Sequence, residues 1–398
     1  MSGEKKSAIF PSYGRFPLTL VKGEGSRVWD DKGNEYLDFA SGLAVTNLGH
    51  VPPKVKAALV AQLDELWHVS NLFHIPNQEK LAGLLTDNSC ADAVFFCNSG
   101  AEANEAAIKL ARRYHSKVLH SGRYEILTFH QSFHGRTLAT LTATGQDKVK
   151  DGFLPLPEGF AYAPYNDVDA LEGCITDKTC AIMLELLQAE GGVIPAEQSF
   201  VDEIVRLCEK HGLLLILDEV QTGVGRTGTL FAYEQYGIEP DIFTLAKGLG
   251  SGFPIGAMLG KEKLVQAFTP GTHASTFGGT PIATSAAIAT LEQLLAEQLP
   301  ERVARLGKQA KERLEALLAG NSFVRMIRAR GFLIGIECAG PVAELVDEIR
   351  EAGLLVVSAG PNVLRLLPNF LVTEEQLEQG LSIVAAALSK RVAAHASS

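Results

Sequence analysis

The chain has 398 residues, 46% hydrophobic and 21% charged, and a formal net charge of −10. That length exceeds what one hydrophobic core usually serves, so two domains, or one large domain with an appended lobe, are expected. With no basic block and no apolar run of membrane-spanning length, nucleic acid and membrane are excluded as expected partners, whereas small acidic substrates need only a few local arginines.

Six cysteines, at positions 90, 97, 174, 180, 208 and 338, form no Cys-x-x-Cys pair and no zinc-spaced cluster with histidine. They read as small buried hydrophobes in a reducing compartment. The first residues lack an apolar signal core, so a cytoplasmic location is expected.

Residues 1 to about 45 read as extended and turn-rich, with short strands at 26–30 and 35–39. Pro52 and Pro53 open a helix predicted to run to Leu66. From about residue 77, strands and helices alternate. Helices are predicted at 78–85, 101–114 and 200–210, the last stopped by Gly212. Strands are predicted at 93–97, 125–129, 180–187, 213–217, 241–245 and 255–259. The stretch 213–217 is apolar at every position, which suits a parallel strand buried on both faces. This alternation predicts a doubly wound α/β core. Two long helices at 282–298 and 301–318 follow. A smaller α+β unit then has strands near 326–329, 333–338, 354–357 and 363–367, and a final helix begins at the capping box Thr373-x-x-Gln376.

Four stretches carry chemistry. An apolar strand delivers Lys247 into a turn with glycines at 248, 250 and 252, where an amine can be desolvated and act as a nucleophile or Schiff-base group. Strand 213–217 ends in Asp218, at the strand terminus where α/β folds bind ligands. A carboxylate buried there needs a cation, a metal or a protonated heterocycle, and no second ligand stands at metal spacing. Asn98, Ser99, Gly100 and Ala101 join a short strand to a helix N-terminus, an anion cradle that lacks the lysine of a P-loop. Phe133 offers a stacking face and Arg136 a carboxylate clamp, while His130 and His134 lack a third metal ligand. Together these parts suit a ligand with a phosphate, a flat ring with a basic nitrogen, and an aldehyde. Pyridoxal phosphate has all three. A flavin or a sugar nucleotide would explain some of the parts and leave Lys247 idle.

Over nearly its whole length the chain resembles the class III, fold type I pyridoxal-phosphate aminotransferases, closest to the acetylornithine branch. The resemblance rests on Asn98–Glu105, Phe133–Thr137, Leu217–Gly228, Thr244–Gly256 and Ser275–Gly279. It implies a mainly parallel seven-stranded sheet in a large cofactor domain at 46–282 and a small α+β domain at 283–398, with residues 1–45 belonging to the small lobe. It implies a cytoplasmic homodimer whose active sites are shared. The implied reaction moves the δ-amino group between N-acetylornithine and 2-oxoglutarate, giving N-acetylglutamate 5-semialdehyde and glutamate, as in arginine biosynthesis. Alternatives are succinylornithine, ornithine, succinyldiaminopimelate or 4-aminobutyrate as donor, and a non-catalytic protein that keeps the cofactor.

At matching positions the resemblance assigns roles. Lys247 would form the Schiff base and then shuttle a proton, and Asp218 would keep the pyridine nitrogen protonated. Val220 and Phe133 would sandwich the ring, and Gln221 would reach the phenolic oxygen. Ser99, Gly100 and Ala101 would hold the phosphate, Glu219 would belong to the cofactor-binding run, and Thr276 would reach the partner subunit's phosphate. Arg136 would clamp the donor's carboxylate with Ser275 nearby. Arg365 would bind 2-oxoglutarate and pair with Glu190 when that substrate is absent. Leu43 stands where ornithine enzymes carry a tyrosine and would favour an acylated amino group. The Trp67–Phe73 stretch resembles the acetylornithine enzymes as well. Departures from the family pattern are Ala189 for a usual glycine, expected to narrow the pocket near Glu190, Leu186 for a common proline, and Val51-Pro52 after His50.

Overall fold

The computed structural model describes residues 7–391. Its centre is a seven-stranded sheet whose members, in chain order, are β1 (Ala93–Cys97), β2 (Glu125–Phe129), β3 (Phe160–Ala163), β4 (Thr179–Leu184), β5 (Leu214–Asp218), β6 (Ile242–Leu245) and β7 (Gly256–Gly260). Across the sheet the order is β1-β7-β6-β5-β4-β2-β3. Only β7 runs against its neighbours β6 and β1; the remaining pairings are parallel. The sheet is therefore mainly parallel, as expected.

Strands β4 to β7 are buried at every residue, because helices cover both faces. Alternation along β5 divides the load. Leu214 and Ile216 pack with Ala106, Ala107 and Leu110 of helix α1 (Gly100–Arg113), whereas Leu215 and Leu217 pack with Phe200 and Leu207 of helix α2 (Gln198–His211). A one-residue slip would exchange the two sets, so the register of β5 is strongly specified. That register decides where Asp218 emerges.

Several elements differ from the sequence expectation. Strand β3 and a six-residue helix, Leu138–Ala143, escape it because each is too short to show a period. A strand at Leu20–Glu24 also forms. The helix opened by Pro53 stops at Leu63, leaving Leu66 and Trp67 outside it. The strand predicted at 354–357 is two strands. Leu354–Leu355 joins the N-terminal sheet beside Glu35–Asp38, and Val357–Ser358 joins the C-terminal sheet beside Val363–Leu366. Val356, buried between them, is where the chain changes sheets. Strands from residues 20–38 and from 354–355 thus share one small sheet.

Helix α2 closes on Gly212 at φ +63°, a left-handed C-terminal cap. A Cβ built there meets no atom within 4 Å, so the cost of a side chain is purely conformational. Gly212→Ala is expected to lose about 1 kcal/mol, read as a lower urea midpoint with an unchanged slope.

Candidate active site

The carboxyl ends of β5 and β6 meet in register, Asp218 opposite Thr244. Lys247 follows three residues later, so strand pairing alone brings the acid and the amine to one place. They line a cavity of about 420 Å³.

Asp218 is 4% exposed and tightly held. One oxygen accepts from Asn104 Nδ2 and from His134 Nδ1, each at 2.8 Å, and the other accepts the Val220 N–H at 3.0 Å. Asn104 is oriented in turn by Thr244 Oγ1, which donates to its Oδ1 at 2.7 Å. Three donors offset the cost of burying the charge and leave an anion facing the cavity.

Lys247 sits in the left-handed region at φ +43°, a conformation that costs a non-glycine residue about 1–2 kcal/mol. Its amine makes no hydrogen bond or ion pair with any described residue. Burial is the main cause of a pKa below the ordinary lysine value. Glu190 pulls it back up, Arg365 presses it down, and Asp218 and Glu185 raise it less. The amine is thereby closer to a neutral nucleophile.

Helix α1 aims its first turn at the same cavity. Ser99 caps it, its Oγ accepting the Glu102 N–H at 3.2 Å, and Ser99, Gly100 and Ala101 form the wall. A Cβ on Gly100 would lie 2.7 Å from Val220 Cγ1, so only glycine lets the helix terminus come this close to Val220. Phe133 lines the cavity, with the Arg136 guanidinium 5.4 Å from its ring centre. Arg136 has no carboxylate partner among the described residues. Val220 and Gln221 complete this group.

Next to Gln221 lies an ion pair that is buried at its arginine and part-exposed at its glutamate. Arg365, 1% exposed, donates to Glu190 Oε1 at 2.6 Å and to Gln221 Oε1 at 3.1 Å, and its Nε has no partner. Burial pushes the Glu190 carboxyl up, but the charge and hydrogen bond of Arg365 outweigh it, and Glu190 titrates below the ordinary range.

Glu190 and Arg365 stand beside this cavity rather than in its wall, and four further predicted residues are not brought into it. Glu219 is a correction. It turns into the core, where its carboxylate accepts from Thr222 Oγ1 and from the N–H groups of Ala232 and Tyr233, and burial lifts its pKa to about 7. Alternation past the end of β5 sends its side chain to the face opposite Asp218. Ser275 is near the rim, accepting from Asn98 Nδ2 at 3.2 Å. Thr276 is exposed outside the cavity. Leu43 is half-exposed on a left-handed turn, Ser41–Ala44, two residues before the lining residue Val45. The expectation for Ala189 also changes: it is wholly buried beside Leu187, Val193 and Leu333 and does not narrow the cavity.

Three site residues were not anticipated: Asn104, His134 in its role on Asp218, and Glu185. Leu184 pairs with Leu217, so Glu185 emerges beside Asp218 on the neighbouring strand. Its Oε2 accepts the Phe133 N–H at 2.9 Å. The match of two strand-end acids was the available signal.

The chain matches the family model for class-III aminotransferases over residues 9–388. The chain is a class-III aminotransferase. It is 52% identical over 378 residues to the acetylornithine aminotransferase of Bacillus cereus, covering 95% of this chain and 96% of that one. To the Oceanobacillus iheyensis acetylornithine aminotransferase it is 50% identical over 372 residues, covering 94% and 93%. Among solved structures it resembles the N-acetylornithine aminotransferase of Stenotrophomonas maltophilia (TM-score 0.83, 38% identity, 96% of this chain and 98% of that one). It also resembles the ornithine aminotransferase of Toxoplasma gondii, in a crystal structure with partial occupancy of pyridoxal phosphate at the active site (TM-score 0.91, 32% identity, 95% and 92%).

The cofactor of this aminotransferase family is pyridoxal phosphate, and the cavity fits it. The unpartnered amine of Lys247, the anion of Asp218 and the close helix terminus at Gly100 supply the three complements an aldehyde, a pyridinium and a phosphate need.

Glu185 generates a prediction. Burial first, and then the charge of Asp218, raise its pKa well above the ordinary glutamate value. A raised folded-state pKa means the native state keeps a proton that the unfolded state releases. Stability therefore falls as pH rises from the unfolded value towards the folded one. Glu185→Gln keeps the acceptor for Phe133 and cannot ionise. Its melting temperature is expected to fall less than the native one as pH rises above the ordinary glutamate value, and parallel curves would show that Glu185 does not titrate in this way.

Proposed function

We propose that this protein transfers the δ-amino group of N-acetylornithine to 2-oxoglutarate, releasing N-acetylglutamate 5-semialdehyde and glutamate, a step of arginine biosynthesis in the cytoplasm. The supporting observation is the joint placement of the Lys247 amine and the Asp218 carboxylate in one cavity beside the Arg365–Glu190 pair. The relatives' names supply the substrate: chains 50% and 52% identical to this one are acetylornithine aminotransferases. Pyridoxal phosphate, when bound, supplies an electrophilic carbon for amines and a ring that accepts electrons.

The chain's own residues do the rest. The first-turn N–H groups of helix α1 at Gly100 and Ala101, with Ser99, hold a dianion. Asp218, held in place by His134, Asn104 and Val220, would keep a proton on a ring nitrogen. Phe133 and Val220 confine a flat ring between them and exclude water from its faces. Lys247, with its lowered pKa, would take the proton from the δ carbon of the donor and hand it on to the group that receives the amine, one base making both transfers. Arg136 receives the donor's carboxylate.

Arg365 serves the second substrate. While N-acetylornithine is bound, Glu190 neutralises Arg365, so the pocket presents no bare cation to the acylated end of the donor. A dicarboxylate displaces Glu190 and takes its place on the guanidinium. Leu43, aliphatic and carried on a turn beside Val45, favours an acyl cap over a charged ammonium.

The unit is a homodimer in this proposal. Trp67, Leu72, Phe73 and Phe277 are each more than half exposed, an apolar patch no monomer gains from showing. Asn71 ties this segment to the loop that carries Thr276, donating to the carbonyls of Ser275 and Gly278 at 3.0 Å. Thr276 can then face the partner's phosphate.

Lys247→Ala is expected to bind the cofactor without the native visible band and to lose turnover by about 10²–10⁴-fold or more; retained turnover would reject the assignment. A panel of ω-amino donors at fixed 2-oxoglutarate is expected to rank N-acetylornithine above ornithine and 4-aminobutyrate, and Arg136→Ala to raise the donor's KM more than it lowers kcat. Thr276→Ala is expected to weaken cofactor retention while sedimentation still reports a dimer.

A further inference from the structure

Behind the loop of Lys247 lies a buried polar pair to which the proposed reaction gives no task. Asn47 is 1% exposed and does not line the cavity. Its Nδ2 donates to the Val224 carbonyl at 3.0 Å, its Oδ1 accepts from Arg226 Nη2 at 2.8 Å, and its own carbonyl accepts the Phe370 N–H at 2.7 Å. A Cβ on Gly248 would lie 2.0 Å from Asn47 Nδ2. The amide is thus flush against the residue that follows Lys247. The flanking residues reach the rest of the loop: the Leu48 N–H donates to Ser251 Oγ at 3.0 Å, and Thr46 Cγ2 stands 3.8 Å from a Cβ on Gly252. Residues 46–48 therefore brace a loop whose two ends, Lys247 and Ser251, both sit at φ +43°.

Arg226 anchors this brace. It is 1% exposed, and no carboxylate lies within ion-pair distance among the described residues. Its guanidinium donates to the carbonyls of Phe332 at 3.2 Å and Pro368 at 2.5 Å, and lies 4.7 Å from the Phe370 ring centre. Phe332 and Pro368 flank the paired strands Leu333–Cys338 and Val363–Leu366, the second of which carries Arg365. A cation buried on neutral acceptors is costly, and a fold that needed only volume there could use an apolar side chain. What the fork supplies is direction: three acceptors on separate segments held at fixed angles.

We propose that Asn47 and Arg226 are positioning residues: Asn47 sets the strained backbone at Lys247 and Gly248, and Arg226 ties that setting to the strand of Arg365. The pair thereby fixes the amine relative to the carboxylate-binding arginine. This rests on the reading of Lys247 as the reacting amine.

The test uses the holoenzyme. Asn47→Ala is expected to lower kcat on the order of 10²-fold, the scale of a misplaced reacting group, and to shift the visible band of the bound cofactor or its pH titration. Gly248→Ala, which drives a methyl into the Asn47 amide, is expected to do the same. The two are expected to be non-additive: Gly248→Ala made on Asn47→Gly costs little more, because the atom it meets is gone. If Asn47→Ala is insoluble, Asn47→Ser, which keeps a hydroxyl for Arg226, is expected to show the same spectral shift in smaller measure. A lowered melting temperature with native band and native kcat would mean a merely structural pair and overturn the proposal. Additive losses would overturn it too. If Lys247→Ala retains turnover, the reading of the site fails; if Lys247→Ala is inactive and Asn47→Ala is native in band and kcat, this proposal alone fails.

Discussion

Everything at the site depends on the register between two neighbouring parallel strands. Asp218 lies opposite Thr244 because Leu217 pairs with Phe243, and that pairing is fixed by which face of β5 each leucine must bury. The same register stacks Glu185 beside Asp218 through Leu184 and Leu217. Acid, second acid and amine are thus delivered by sheet geometry. The polar chemistry is set by the apolar alternation beneath it, since a slip of one residue would turn Asp218 into the core.

The charges at the site are then graded by their partners. Asp218 has three donors. Glu185 has one backbone donor and an anionic neighbour, and burial holds its proton on. Glu190 lies beside Arg365 and is held below the ordinary carboxyl range. Glu185 and Glu190 are thereby shifted in opposite directions, and Lys247, whose own pKa is drawn down, works among them. Such separation by environment is how one cavity can hold a proton in one place and move it in another.

Much of this was legible in the sequence. The all-apolar stretch before Asp218 announced a doubly buried strand, and the glycines after Lys247 announced a turn with backbone close to a ligand. The structure brings Ser99, Gly100, Ala101, Phe133, Arg136, Asp218, Val220, Gln221 and Lys247 to one cavity. Glu219 was misplaced because a motif read as a run hides alternation: adjacent acids at a strand end face opposite ways. Glu185 and Asn104 were missed because each acquires meaning only from a neighbour far off in sequence, Asp218 in both cases. The reversal of β7 and the division of residues 354–358 between two sheets are likewise decided by tertiary pairing, which local propensity does not record.

The crossing of the chain at Val356 has a mechanical meaning. Leu354 and Leu355 are laced to Leu37 and Asp38, and two residues later Val357 is laced to Arg365. Five consecutive residues therefore join the amino-terminal ribbon to the strand that carries Arg365. The strand Glu35–Asp38 thus belongs to the mounting of a distant binding group, along a route of backbone pairing that leaves the cofactor cavity aside.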